Sequence, residues 1–481
     1  MFTEAASRIF EFTLTWGAWL IIPLLVDILT GVFTFGYTFL LSRPDEQTDE
    51  TTLTFHPPVT LIVPVHDSAF TLTDCLDSIL NQSYPSTQLE IVCVDNGSRD
   101  ESFAVFRQWQ EERPGVNARW IELSRAGKAK ALNAGICASR GTYIINIDSD
   151  ARLDRDAVKR MVAAMENAPD LAAATGSIIV APTTEAANNF LGFLRVCEAA
   201  EYQTAFQVGR RYQAKTNTLF TLSGAFSAFR RDVLLRSFLY SERTVSEDTD
   251  LTFHLRTFLR GRQGRIGYVS GAIARVKPVS SLSRLYSQRV RWQRGQIEVA
   301  SLYWPAGGID PGNSRGRIGR LLLTDHTLSF GRMTWTLLFP LLCCLGYPVL
   351  MVFEAIAAFY LSYIFLDALL LTAACRTAGT EARKEMRRKW WIVFILPLYR
   401  TLLYWFRIAG IITALTEPAN WQTTPPWEQV KTESLKLWRQ LMMRQRGGER
   451  NEGRAFCINY LHFTRLRRTV AAKAGCQQDR K

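Results

Sequence analysis

Residues 141–150 read Gly-Thr-Tyr-Ile-Ile-Asn-Ile-Asp-Ser-Asp. The apolar, β-branched run Thr142 to Ile147 predicts a buried strand, and it leads directly into Asp148 and Asp150. The same pattern recurs upstream. Val59-Thr-Leu-Ile-Val-Pro-Val65 is a strand, with a helical stretch from about Ser68 to Asn81. Leu89 to Val94 is a second strand, ending in the turn sequence Asp95-Asn96-Gly97-Ser98. A helix runs to about Glu112, Trp120 to Leu123 is a third strand, and Gly127 to Ala138 is helical before the fourth strand. Strand–helix alternation with short turns predicts an α/β domain with a parallel sheet covered on both faces. Ligands of such sheets bind at the carboxyl ends of the strands, where Asp95 and Asp148 fall.

Apolar residues are spread unevenly around this domain. Residues 16–41 carry one charge, Asp27, and residues 335–375 carry two, Glu354 and Asp367. Runs of this length can span a bilayer, which takes about 20 residues per helix. The first has no basic region before it (Glu4, Arg8 and Glu11 are mixed) and no small-residue cleavage site after it, so it reads as a retained anchor rather than a signal peptide. The predicted order is an N-terminal segment (1–15), an anchor (16–41), a polar linker (42–57) and the α/β domain (58–303). An interfacial segment (304–332), two spans (333–375) with a break near Tyr347-Pro348 or Glu354, and a basic loop (376–390) follow. A membrane helix or re-entrant segment (391–416) and a basic tail (417–481) complete it.

The net charge of +13 is concentrated near the end. Residues 417–481 hold 13 Lys/Arg against 6 Asp/Glu, and residues 376–390 hold six against two. Basic stretches beside apolar spans favour the cytoplasmic face and anionic headgroups. With two spans between them and the domain, the domain is also cytoplasmic, as expected for a multi-pass plasma-membrane protein. Segment 391–416 conflicts with a simple count, because Pro397, Arg400 and Arg407 interrupt it. No nucleic-acid-binding motif is present, so nucleic acid is not an expected partner. The nine cysteines show no metal-ligand spacing and read as free thiols of a reducing compartment.

Several polar motifs stand out. Asp148 and Asp150, one residue apart at a strand end, suit a hard divalent cation. Lys128 opens the helix of Gly127-Lys-Ala-Lys-Ala-Leu-Asn133, an anion-friendly corner that lacks the glycine spacing of a P-loop. Glu247 and Asp248 follow Ser246, so they offer either a general base or the acidic start of a helix. Gln288, Arg291 and Trp292 stand at i, i+3 and i+4 and share one helical face.

Taken in order, Pro64-Val-His66-Asp67, Asp95-Asn-Gly-Ser98, Gly127-Lys128 to Asn133, Asp148-Ser-Asp150, Ser223-Gly224-Ala225, Glu247-Asp248 and Gln288-Arg-Val-Arg291-Trp292 resemble the motifs of processive family 2 glycosyltransferases. These include the synthases of cellulose, chitin, hyaluronan and poly-N-acetylglucosamine. The resemblance covers about residues 56–300. It implies a GT-A fold (a nucleotide-diphospho-sugar transferase domain) with flanking transmembrane helices, Mg²⁺ or Mn²⁺, and inversion to a β-linkage. The donor would be a UDP-sugar, UDP-GlcNAc or UDP-Glc. By this resemblance Pro64, Asp67, Asp95, Lys128, Asn133 and Asp148 contact the nucleotide sugar. Asp148 and Asp150 hold the metal, and Asp248 is the general base, with Glu247 beside it as the second catalytic carboxylate. Gly224, Gln288, Arg291 and Trp292 meet the acceptor and diphosphate. His66-Asp67 departs from the usual Asn-Glu, and Ser246 from the usual Thr or Val. The acceptor is a growing polysaccharide or a lipid-linked molecule, and accessory export subunits are possible partners. Two other readings stand beside this one: a single-transfer enzyme acting on a lipid-linked acceptor, and an inactive membrane scaffold or polysaccharide receptor.

Overall fold

A computed structural model describes residues 7, 18–41, 53, 55–182, 189–303 and 339–416. The interfacial segment 304–332, the basic tail 417–481, most of the linker 42–57 and all of the N-terminal segment 1–15 but residue 7 fall outside the described residues. In chain order the first elements are helix α1 (Ala18–Gly36), strand β1 (Val59–Val65), α2 (Leu72–Leu80), β2 (Leu89–Asp95), α3 (Ser102–Glu111), β3 (Ala118–Glu122), α4 (Lys128–Ala138) and β4 (Tyr143–Ile147). Next come β5 (Arg152–Leu153), α5 (Ala157–Glu166), β6 (Leu171–Val180), α6 (Phe190–Tyr202), α7 (Arg210–Lys215), β7 (Phe226–Arg230), α8 (Arg231–Arg236), α9 (Glu247–Phe258) and β8 (Arg265–Val276). The described part ends with α10 (Leu282–Tyr303), α11 (Val349–Thr377), α12 (Thr380–Arg388) and α13 (Leu396–Thr416).

The strands bury alternate residues on opposite faces, as the two-residue period of a strand dictates. Leu61, Val63, Ile91, Cys93, Tyr143 and Ile145 pack with α2, α3 and α5. Ile62, Val92, Val94 and Ile144 pack with α4 and α9. Each fully buried aliphatic side chain contributes about 1.5–3 kcal/mol, so both layers hold the strand ends in place. The expected all-parallel sheet holds for β3-β2-β1-β4 and fails beyond. The order continues β7-β6-β8-β5, with β7 antiparallel to both neighbours, β8 parallel to β6, and β5 antiparallel to β8. A buried strand pattern carries no direction, so only the connection through residues 181–225 reveals the reversal. Helix α2 is shorter than the expected Ser68–Asn81, because Ser68 O accepts from both Thr71 N and Leu72 N in a turn that precedes it. Pro64 lacks a donor, yet it sits in a central strand. This is tolerated because β1–β4 pairing ends at Ile62↔Asn146.

The helices after the domain form a second packing layer. The predicted break falls where Gly346 takes φ +84° and Pro348 precedes α11. Among the described residues, α11 is the one helix long and apolar enough to cross a membrane, and only 11% of its most apolar window is buried. Tyr363 on α11 donates to Asp27 of α1 at 2.8 Å. Asp367, one turn on, meets Arg400 of α13 at 2.7 Å. Arg400, which made segment 391–416 unlike a simple span, is therefore paired. Leu396, Tyr399, Leu403 and Phe406 of α13 share a core with Leu285, Tyr286 and Val290 of α10. Gly410 lets the two helices touch: a Cβ there would lie 2.8 Å from Gln293 Cβ and 2.9 Å from Val290 O.

Candidate active site

The carboxyl edge of β1 and β2 carries two clasped loops. Asp95 Oδ1 accepts from Ser98 N at 2.9 Å, closing the turn after β2. Asp67 Oδ1 accepts from Arg99 N at 2.7 Å, and its own N–H donates to Ser98 Oγ at 3.2 Å. Asp67 stands at φ +48°, a conformation that aspartate tolerates better than most residues. Asp67 and Asp95 thus brace one another's loops.

The next strand end holds a charge cluster. Lys128, the first residue of α4, places Nζ 2.6 Å from Asp148 Oδ1 and 3.6 Å from Glu247 Oε1. Burial alone would depress this ammonium, but Asp148, Glu247 and then Asp248 outweigh it and hold its pKa above the ordinary lysine value. Glu247 is 9% exposed. Burial raises its carboxyl, Lys128 works against that, and Asp248 adds to it. Asp150 keeps an exposed side, but burial of its carboxyl raises its pKa and Asp148 adds to that.

Gly224 links this cluster to α9. Its N–H donates to Asp248 Oδ2 at 3.2 Å, and its carbonyl accepts from Asn146 Nδ2 at 2.7 Å. A Cβ at 224 would come tightly against Lys128 Nζ at 3.3 Å and into ordinary contact with Asp248 Oδ2 at 3.6 Å. Asp248 Oδ1 accepts from Thr249 N at 2.7 Å. Ser246 takes the N-cap position without a side-chain cap bond. Asn133 donates through its amide to Tyr240 O at 2.8 Å and accepts from Tyr240 N at 2.9 Å, so it anchors the chain before Glu247.

The opposite wall is α10, where Gln288, Arg291 and Trp292 occupy one continuous helix as their spacing predicts. Trp292 is half-buried against Tyr202 and Phe206, at ring distances of 6.4 and 6.1 Å. Arg289 lies 4.5 Å from its ring centre. Arg289 is itself buried and donates to Glu201 Oε2 at 2.6 Å, an oxygen that also accepts from Tyr399 at 3.2 Å. Arg294 on the same helix meets Glu298, whose other oxygen accepts from Val245 N at 2.8 Å. A Cβ on Gly295 would collide with the Ser246 side chain. One helix therefore braces both the tryptophan and the loop that leads to Asp248.

Sequence reasoning missed three groups. Glu201 reads as an ordinary helix acid until Arg289 is placed beside it. Asp250 is gripped by Arg243 at 2.7 and 2.6 Å and by Tyr303 at 3.0 Å. Arg210 is 5% exposed, lies 4.3 Å over the Phe206 ring, and has Nη1 without a hydrogen-bond partner. Burial brings its pKa down to about 10 against the pull of Tyr268 and Asp248. The local sequence offers no signal for it, since Gly209-Arg210-Arg211 looks like a solvated turn.

Residues 60–238 match the family model described as glycosyl transferase family 2. The chain carries a family 2 glycosyltransferase domain. The match spans β1 to β7 of the α/β domain and ends before α9. The chain's relatives include poly-β-1,6-N-acetyl-D-glucosamine synthases. The one from Staphylococcus epidermidis strain RP62A is 26% identical over 249 residues, 51% of this chain and 57% of that protein. The one from Staphylococcus aureus strain COL is 26% identical over 294 residues, 61% of this chain and 66% of that protein. The chain thus spans between half and two thirds of the curated relatives it matches. A solved mannosyltransferase from Pyrobaculum calidifontis, in complex with GDP-Man and Mn²⁺, has a TM-score of 0.49 at 19% identity, covering 82% of this chain and 99% of that one. TarS residues 1–349 of S. aureus, in complex with UDP-GlcNAc, has a TM-score of 0.40 at 14% identity, covering 76% and 93%. The glycosyltransferase domain contains most of the charge cluster, while Glu247, Asp248 and α10 lie beyond the matched residues.

Proposed function

We propose that the protein is a membrane-bound, inverting glycosyltransferase that moves a sugar from a UDP-sugar onto a growing β-linked polysaccharide. One observation carries this reading: Lys128, Asp148, Glu247, Asp248 and Gly224 N–H converge in one cluster at the carboxyl edge of the sheet. The name of the staphylococcal relatives favours UDP-GlcNAc as donor and a β-linked N-acetylglucosamine chain as product.

Asp95 and Asp67 line the side where the base and ribose would rest. Lys128 would balance the diphosphate. Asp148 and Asp150 fit a divalent ion: they supply oxygen donors only, and among the described residues no cluster of three His, Cys, Asp or Glu ligands stands ready. That suits Mg²⁺ or Mn²⁺, which completes its shell with water and substrate phosphates. Bound there, the ion would neutralise charge on the departing diphosphate. Asp248 accepts the proton of the acceptor hydroxyl. That oxygen bonds to C1 of the donor sugar from the face opposite the diphosphate, and the C1–O bond breaks with its electron pair leaving on UDP. Gly224 N–H holds Asp248 in place. Trp292 offers the acceptor sugar an apolar face, while Arg291 and Gln288 face the diphosphate end. The domain would lie on the cytoplasmic side, with α1, α11 and the segment before it in the bilayer.

The test is incubation of membranes containing the full chain with radiolabelled UDP-GlcNAc, UDP-Glc and GDP-mannose, with Mg²⁺, Mn²⁺ or EDTA. High-molecular-weight product from UDP-GlcNAc, abolished by EDTA and by Asp150→Asn, is expected. Single-sugar product on a lipid would replace the processive reading with the lipid-linked one.

A further inference from the structure

We propose that the pocket where α11 meets α12 and the Trp390–Phe394 turn is a binding site for one anionic phospholipid. The proposal rests on the membrane reading above. The pocket holds about 660 Å³, within the range of small-molecule sites and large enough for a headgroup with the adjoining acyl segment. Its lining is split by chemistry. Leu371, Phe39 and Trp390 supply an apolar and aromatic wall, and Arg376, Arg383 and Arg387 supply charge. No Asp or Glu lines it.

The three arginines are not equivalent. Arg383 donates to the carbonyls of Cys375, Arg376 and Ala378 at 2.9, 3.3 and 3.1 Å, so it caps the end of α11. Arg376 rests 4.3 Å over the Phe39 ring, and its Nε is buried with no hydrogen-bond partner. A buried guanidinium N–H left unmatched is unfavourable, which marks this end of α11 as incompletely satisfied. Arg387 stands one turn beyond Arg383 and is exposed at the same pocket. A phosphate between Arg376 and Arg387, which both line the pocket, would receive charge-assisted hydrogen bonds from their guanidinium groups.

Position selects a lipid over a soluble phosphate. The pocket lies at the basic end of the one described helix that is long and apolar enough to cross a bilayer. Trp390 and Phe394 beside it are 60% and 49% exposed, and indole rings favour the headgroup level. Basic pockets on the cytoplasmic side of membrane helices are suited to anionic headgroups.

The test uses the full chain purified in detergent, with native mass spectrometry against phosphatidylglycerol and phosphatidylcholine of matched acyl chains. Phosphatidylglycerol should be retained about tenfold more strongly. The preference should vanish in Arg376→Gln/Arg387→Gln and survive in Arg376→Lys, which keeps the charge and serves as the folding control. Equal retention of both lipids by the wild type, or an unchanged preference in the double variant, overturns the proposal. So does displacement of phosphatidylglycerol by millimolar glycerol phosphate, which would make this a soluble-phosphate site. Release of the chain from membranes by alkaline carbonate would instead overturn the membrane reading. A chain that needs detergent yet shows no lipid preference defeats this inference alone.

Discussion

Lys128 Nζ lies 2.6 Å from Asp148 Oδ1, and the same ammonium reaches Glu247 at 3.6 Å. One lysine thus stands among carboxylates from two separate elements, β4's end and the first turn of α9. Lys128→Met should leave these acids repelling one another. Turnover of donor should fall about tenfold or more, since one pKa unit of lost interaction corresponds to about 1.4 kcal/mol, a factor of ten. Steady-state kinetics with Lys128→Arg as the charge-keeping comparison would check this; equal activity in the Met variant would remove Lys128 from the site.

The raised carboxyl of Glu247 has a pH signature. A group whose folded pKa is raised contributes stability below its unfolded value, and that contribution is lost as pH rises through the folded value. Glu247→Gln removes this dependence. The melting temperature of the variant minus that of the wild type should therefore grow as pH rises above the ordinary glutamate value of 4.5. Melting curves from pH 4 to 8 would show it, and a flat difference would mean that Glu247 ionises freely.

Asp248→Asn keeps the shape of the group that Gly224 N–H holds but cannot take a proton. Binding of UDP-GlcNAc should stay within a few-fold of wild type while turnover falls by about two to four orders of magnitude. Calorimetric binding set beside the rate assay separates the two. Parallel losses would mark Asp248 as a brace for Gly224.

Trp292→Ala should reduce polymer formation far more than hydrolysis of the donor, because transfer to water needs no aligned acceptor sugar. Glu201→Gln should act in the same direction more weakly. It releases Arg289, which lies against the indole, without touching the cleft. A raised acceptor KM with little change in hydrolysis is the expected sign of a positioning role. Unchanged product length in both variants would remove α10 from acceptor binding.

Gly295→Ala probes the other brace. The new methyl group would press on Ser246, immediately before Glu247 and Asp248. Overpacking of this kind costs about 1–3 kcal/mol. Both the melting temperature and turnover should drop, and suppression by Ser246→Gly in the double variant would assign the loss to that contact.

The first half of the sheet and the acidic motifs were legible because their signals are local. Alternating burial marks β1 to β4, and acids at strand ends mark Asp95, Asp148 and Asp150. The reversal of β7 and β5 was not legible, since a buried strand reads the same both ways. Glu201 and Arg289 stand 88 residues apart, and neither carries a local sign of the other. Asn133 shows the converse: a residue prominent in a motif is occupied with the backbone of Tyr240. Arg400 belonged to a segment whose arginines and proline made it look interfacial, and only the position of Asp367 reveals its partner.

Gly410 brings the backbone of α13 against Val290 and Gln293, one helical turn or less from Trp292. Two helices in such close contact resist sliding past each other. On the proposed reading, the surface under the last sugar would be mounted on the same rigid post as the hydrophobic layer behind it. Advancing the product by one unit would then require the sugar to travel over a stationary seat, with sequence changes as remote as position 410 felt as slippage at the growing end.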